Sequence, residues 1–226
     1  MRLPFDLELR EQDVATIVNL LFGMLAILFL AVANDIGIAA VFVLVCVLAD
    51  GADGYLARTR GQGSLGFQLD SLADFVSFGL VPSILVYYAV RDAVGYRFLF
   101  FLIFVVSFLY LVSGMLRLAR YNVVPQEAAF SGLPITAAGM IIALYILAGL
   151  PAVGLLAVAL VLAGLMVSDI QYPKVRNTIT LAVVGALLLL ILLLYAIGTS
   201  YWIISAVLLL LSIVYVLNPL YRRYFR

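Results

Sequence analysis

Long apolar runs alternate with short polar breaks along this chain. A helix that crosses a bilayer needs roughly 20 apolar residues, and fewer where its ends anchor at the interface. The runs predict eight spans, at about 14–33, 36–56, 68–90, 96–119, 133–149, 152–168, 178–198 and 201–218. Only Gly149-Leu150-Pro151 separates the fifth from the sixth, so one long kinked helix is the alternative there. Asn34-Asp35 and Gly198-Thr199-Ser200 carry little charge and predict tight hairpins. Residues 1–13 place apolar side chains at Leu3, Phe5, Leu7 and Leu9, a period of two. They read either as a segment lying at the membrane surface or as an extended tail. They carry acids and lack the apolar core and small-residue cleavage site of a signal peptide. Leu187–Leu194 and Leu208–Leu211 have no polar face and are assigned to lipid contact or helix packing.

Composition agrees with the pattern. Hydrophobic residues make up 66% of the 226 and charged residues 11%, with a mean hydropathy of +1.23. The expected fold is all-α, a polytopic membrane bundle of about eight transmembrane helices in a single integral-membrane domain. A net charge of +1 and the lack of a basic patch argue against nucleic acid as a partner. With eight spans, one side receives Arg2, Arg10, Arg58, Arg60, Arg117, Arg120, Lys174, Arg176, Arg222, Arg223 and Arg226, and the other only Arg91 and Arg97. The positive-inside rule then puts both termini in the cytoplasm, with the cell membrane as the expected location. Tyr221, Arg222, Arg223, Tyr224 and Arg226 read as an interfacial belt. Cys46 lies in an apolar run and reads as core packing. There is no histidine, so chemistry must run on carboxylates, hydroxyls, Lys or Arg.

Against this oily background, Asp50, Asp53, Asp70 and Asp74 fall within one short stretch on the side predicted to be cytoplasmic. Residues 50, 53, 54 and 57 are spaced i, i+3, i+4, i+7, so Asp50, Asp53, Gly54 and Ala57 share a helical face, with Arg58 beside it. Gly66, Asp70 and Asp74, at i, i+4, i+8, share a face of the next helix. Two antiparallel helices joined by the intervening TRGQGSL turn would gather all four carboxylates. One aspartate in a membrane helix costs roughly 2.5–3.5 kcal/mol, and four together repel one another. One or two divalent cations resolve both problems. All-oxygen ligands favour Mg²⁺ or Mn²⁺ over Zn²⁺, while Ca²⁺ suits a more complete protein cage. Gly54 and Ala57 leave a hollow for a flat ring or a phosphate, or serve close helix packing.

The stretch resembles the signature of the CDP-alcohol phosphotransferase family, D-x2-D-G-x2-A-R-x8-G-x3-D-x3-D. Asp50, Asp53, Gly54, Ala57, Arg58, Gly66, Asp70 and Asp74 match it in order, with seven residues instead of eight between Arg58 and Gly66. The missing residue falls in the turn and leaves both helical faces intact. LDSLADFVSFGLVP (69–82), RLARYN (117–122), FSGLPITAAG (130–139) and SDIQYPK (168–174) are similar to the phosphatidylserine synthase branch, and Thr16, Asn19 and Gly23 to its first helix. The resemblance implies a catalytic core over 14–120, with the remaining spans in 121–226. It implies a CDP-linked lipid donor, CDP-diacylglycerol or CDP-archaeol, L-serine as acceptor, two Mg²⁺ or Mn²⁺ ions, and a homodimer. Asp50, Asp53 and Asp70 would be the main metal ligands, with Asp74 ligating or close by and accepting the serine proton. Thr16, Asn19, Asp50, Gly54, Ala57, Arg58 and Gly66 would bind the CDP-lipid.

Further polar residues have two readings each. Arg117 and Arg120, followed by Tyr121 and Asn122, cradle phosphates or the serine carboxylate, or merely anchor the span. Lys174 faces the same choice. Ser77 touches the acceptor or packs a helix. Glycerol phosphate or inositol phosphate is the competing acceptor, since Arg117, Arg120 and Lys174 could serve an added phosphate. A cation transporter is the competing class, but the acids cluster at one membrane face with no second set across it.

Overall fold

In lipid every backbone amide must find its partner inside the protein, which leaves helices as the solution for apolar runs of this length. The computed structural model describes residues 11–60, 64–91, 97–123, 129–173 and 177–225, without the side chains of 11, 12, 57–60, 64, 97, 98, 129 and 222–225. Helices α1 (Glu11–Ala33) and α2 (Ile36–Arg60) form a hairpin. The rod that follows is built from α3 (Ser64–Asp74), a π-helical turn (Phe75–Leu80) and α4 (Val81–Arg91). Then come α5 (Arg97–Val123), α6 (Ile135–Leu147), α7 (Ala152–Val167), α8 (Thr178–Ile197) and α9 (Tyr201–Phe225). The chain is an all-α, multi-pass membrane protein: among the described residues, six helical stretches are long and apolar enough to cross a bilayer.

The fifth and sixth expected spans are two separate helices, not one kinked helix. Gly149 at φ +68° turns the chain between them. They have 13 and 16 residues, or about 20 and 24 Å at 1.5 Å per residue, short of a hydrocarbon core of roughly 30 Å. Helix α6 is instead wrapped by protein, with Ile135, Ala138, Ile141, Ile142, Ala143 and Leu144 buried against α2, α9 and the π turn. The two predicted hairpins form. Asn34 takes a left-handed conformation (φ +53°), which its short polar side chain tolerates, and Asp35 Oδ1 accepts from the Ile38 amide at 2.9 Å to start α2. Gly198 ends α8 in the same region at φ +72°.

One element has no counterpart in the sequence reading. Strands β1 (Ala129–Ser131) and β2 (Gln171–Pro173) pair antiparallel, with Phe130 opposite Tyr172. They join the segment after α5 to the segment after α7.

The π turn directly follows Asp74. Its closing bond runs from the Val81 amide to the Val76 carbonyl, five residues back. Widening a helix in this way exposes carbonyls that need other donors. The Tyr110 hydroxyl donates to the Phe78 carbonyl at 2.9 Å, and Ser83 to that of Leu80 at 2.7 Å. Glycines let three helices close on the turn. A Cβ on Gly23 of α1 would lie 2.6 Å from Ser77 Oγ, and one on Gly139 of α6 3.1 Å from the Phe78 Cα. On Gly114 of α5 it would lie 2.7 Å from Ile135 Cδ1 and 3.9 Å from the Gly79 Cα.

Gly139→Leu is expected to destabilise the protein by about 1–3 kcal/mol, the usual cost of overpacking, read as a lower thermal midpoint in detergent. Gly185→Ala, where an added Cβ meets nothing within 4 Å, should leave the midpoint unchanged.

Candidate active site

Three elements converge below the π turn. Asp50 of α2 lies opposite Asp70 and Asp74 of α3, and α1 packs against both helices. One carboxylate oxygen from each of Asp50, Asp70 and Asp74 lies within 4.8 Å of the others. Asp74 is buried, and so is Asp53, one turn after Asp50. Asp53 stands apart from this trio and accepts a hydrogen bond from the Thr16 hydroxyl. Gly54 is partly exposed on the same stretch of α2, and Gly66 is buried one turn before Asp70. The side chains of Ala57 and Arg58 lie outside the described residues, as does Lys174.

Asn19 ties the three elements together. Its side-chain amide donates to Asp74 Oδ1 at 3.3 Å. Its main-chain carbonyl accepts from Cys46 Sγ of α2 at 3.2 Å and from Ser77 Oγ of the π turn at 3.1 Å. Ser77 can reach that carbonyl because Gly23, one turn further along α1, has no side chain. Asp74 is thus fixed from α1, and the turn behind it is pinned to the same residue.

Arg117 of α5 is buried and within electrostatic reach of Asp50, Asp70 and Asp74. Its guanidinium carbon sits 5.6 Å from the Tyr121 ring centre and 5.3 Å from that of Phe130. One guanidinium does not balance three carboxylates. Three gathered anionic oxygens, with no nitrogen or sulfur ligand in the group, suit a hard divalent cation. Oxygens on one octahedral Mg²⁺ lie roughly 3–4 Å apart, given bonds of about 2.1 Å. Modest side-chain rotation would bring the trio to that spacing.

A profile of the CDP-alcohol phosphatidyltransferase family matches residues 13–170. The chain belongs to this family. The enzymes of this family are transferases and are generally dependent on divalent metal. The chain is 35% identical over 168 residues to an archaetidylserine synthase from Methanothermobacter thermautotrophicus, covering 72% of this chain and 69% of that one. It is 37% identical over 165 residues to a CDP-diacylglycerol–serine O-phosphatidyltransferase from Bacillus subtilis (72% and 89% covered). It is 33% identical over 171 residues to one from Helicobacter pylori (70% of each).

Around this phosphatidyltransferase site, the remaining residues fall into distinct positions. Asn122 Oδ1 accepts from Ser71 Oγ at 3.1 Å, which links the end of α5 to α3. The Arg120 guanidinium donates to the carbonyls of Ser131 at 2.5 Å and Ser168 at 3.1 Å, and more weakly to those of Met166 and Val167, both at 3.4 Å. It also pairs with Asp169 at 3.5 Å. Arg120 therefore caps the C-terminus of α7 and holds it to β1. Gly132 completes this joint at φ +79°, where a Cβ would collide with the Met166 carbonyl and sit 2.7 Å from Arg120 Nη2. Two buried residues escaped the sequence reading. Asp13, read as part of the N-terminal segment, lies in α1 within electrostatic reach of Asp53. The spacing of 13, 16 and 19 places it on the face of Thr16 and Asn19, and that spacing was the available signal. Tyr172 faces inward from β2 and packs on Tyr215 of α9, ring centres 5.9 Å apart.

Arg120→Leu should lower stability by about 2 kcal/mol, the scale of hydrogen bonds to a charged group, seen as a reduced thermal midpoint. The KM for the CDP-lipid should change little, because the guanidinium is already occupied by main-chain carbonyls.

Proposed function

We propose that the protein transfers the phosphatidyl or archaetidyl group of a CDP-linked lipid to the hydroxyl of L-serine, releasing CMP. The observation that carries this reading is the grouping of Asp50, Asp70 and Asp74 within 4.8 Å beside the buried Arg117. The family membership and the similarity to serine-using relatives support it further.

Asp50, Asp70 and Asp74 would hold the divalent metal, Mg²⁺ or Mn²⁺, with Asp53 completing a second position once it turns from Thr16. An ion held there would supply positive charge to the diphosphate and so a better leaving group in CMP. Gly54 and Ala57 would leave room for the cytidine against the α2 backbone, with Thr16 and Gly66 contributing to the same CDP-lipid site. Arg58 and Lys174 would add positive charge for the phosphates. Arg117, in its aromatic bracket, offers a fixed guanidinium to a phosphate or a carboxylate. Asp74 takes the proton from the serine hydroxyl as its oxygen forms a bond to the lipid-bearing phosphorus. The bond from that phosphorus to the CMP oxygen breaks, and CMP departs with the electron pair. Asn19 keeps the Asp74 carboxylate aimed throughout. The charge bias of the loops supports a cytoplasmic active site and cytoplasmic termini.

Purified protein given CDP-diacylglycerol or CDP-archaeol with Mg²⁺ or Mn²⁺ should release CMP with L-serine and not with glycerol phosphate or inositol phosphate. Release with a phosphorylated acceptor alone would reassign the acceptor, and no release with any of them would refute the transferase reading. EDTA should abolish turnover, and added Mg²⁺ or Mn²⁺ should restore it.

Asp74→Asn should cut turnover by roughly a hundredfold or more, the scale of losing a general base, with CDP-lipid binding retained in a direct binding assay. Near-normal turnover in this variant would remove Asp74 from the role of base.

A further inference from the structure

Asn19 is 1% exposed. Its amide nitrogen faces Asp74, because a carboxylate accepts and does not donate. The same bond fixes where the other end of the amide lies. Oxygen and nitrogen of a side-chain amide are about 2.3 Å apart. With the nitrogen 3.3 Å from Asp74 Oδ1, Asn19 Oδ1 lies within about 5.6 Å of that carboxylate oxygen. Asn19 Oδ1 is buried and has no hydrogen-bond partner among the described residues. A buried acceptor left in this condition is costly.

Three donors of the same region, among the described residues, are committed elsewhere. The Ser77 hydroxyl and the Cys46 thiol both go to the main-chain carbonyl of Asn19, and the Thr16 hydroxyl goes to Asp53. The protein thus presents two acceptors side by side, a carboxylate and a neutral amide oxygen. A vicinal amino alcohol presents two matching donors, a hydroxyl and an ammonium on adjacent carbons, about 3 Å apart. Hydrogen bonds of about 2.7–3.0 Å at each end span the acceptor pair.

We propose that Asn19 Oδ1 receives the ammonium of the amino-acid acceptor while Asp74 receives the proton of its hydroxyl. Asn19 is then a specificity-determining residue as well as a positioning one. This inference rests on the serine reading above. Its chemistry is selective: a polyol phosphate brings no ammonium to the amide oxygen, so that acceptor would stay unpaired when such a substrate bound. A site built to pair a polar group discriminates strongly against an analogue that lacks it.

The test compares L-serine with 3-hydroxypropionate, which keeps the hydroxyl and carboxylate and lacks the ammonium. Both are assayed by CMP release in the full-length protein and in Asn19→Leu, which preserves volume. Wild type should prefer L-serine in kcat/KM, and the variant should lose that preference by about tenfold or more. A residue that only positions Asp74 would slow both acceptors equally and leave the ratio unchanged, and that result overturns the inference. If Asn19→Leu does not fold, the wild-type ratio still decides: no preference for the ammonium-bearing acceptor overturns the inference by itself. No CMP release from wild type with L-serine would instead sink the serine reading beneath it.

Discussion

Like charges held together in an apolar bundle are the constraint around which this protein is organised. Asp50, Asp70 and Asp74 bring carboxylate oxygens to within 4.8 Å of one another, in surroundings where separating them would be the cheaper arrangement. Their positions must therefore be imposed by the framework. Helices α2 and α3 supply the faces, and α1 supplies a clamp on the trio through Asn19, while Thr16 holds the neighbouring Asp53. Arg117 contributes opposing charge from α5 while shielded by Tyr121 and Phe130. The remaining helices serve this arrangement. Buried α6 backs the π turn, α9 packs on α6, and α8 packs on α9 and α2.

The short β1–β2 pair has a similar supporting part. It lies where α5 and α7 end, and Arg120 stitches both to it through carbonyl oxygens. Phe130, which lines Arg117, is held by its pairing with Tyr172. A basic residue at the membrane edge thus acts as a C-terminal cap for a helix distant in sequence, consistent with the negative end of the helix dipole.

Much of this was readable in the sequence because the relevant signals are periodic. The 3.6-residue repeat put Asp50 with Asp53 and Asp70 with Asp74 on shared faces, and the apolar runs marked the helices to within a few residues except at the end of α9, which runs seven residues past the expected span. The low-charge turns at Asn34-Asp35 and Gly198-Thr199-Ser200 were legible as breaks between apolar runs, and Asn34 and Gly198 take the left-handed region there. What escaped lacks a period. FVSFGL reads as an ordinary stretch of a buried helix, and nothing in it announces one residue too many per turn. AFS and QYP are three-residue strands about 40 positions apart, too short for alternation to register. Arg120 could not be separated from a phosphate ligand, since phosphate and carbonyl oxygens invite the same donor. Asp13 closes the polar N-terminal segment by composition, and the boundary of the apolar run does not register the helical face it shares with Thr16.

The π turn at Phe75–Leu80 also decouples two halves of one rod. Each residue of an α-helix advances the side-chain direction by about 100°, and a turn that closes on the fifth residue offsets everything beyond it. The part that carries Asp70 and Asp74 is therefore phased for the site, while Val81–Arg91 is phased for its own packing against α2, α5 and α7. Each half can drift in sequence under its own demands. A single deletion inside the turn would act as a rotary coupling, swinging the carboxylates around the axis of α3 without altering a single residue of the signature.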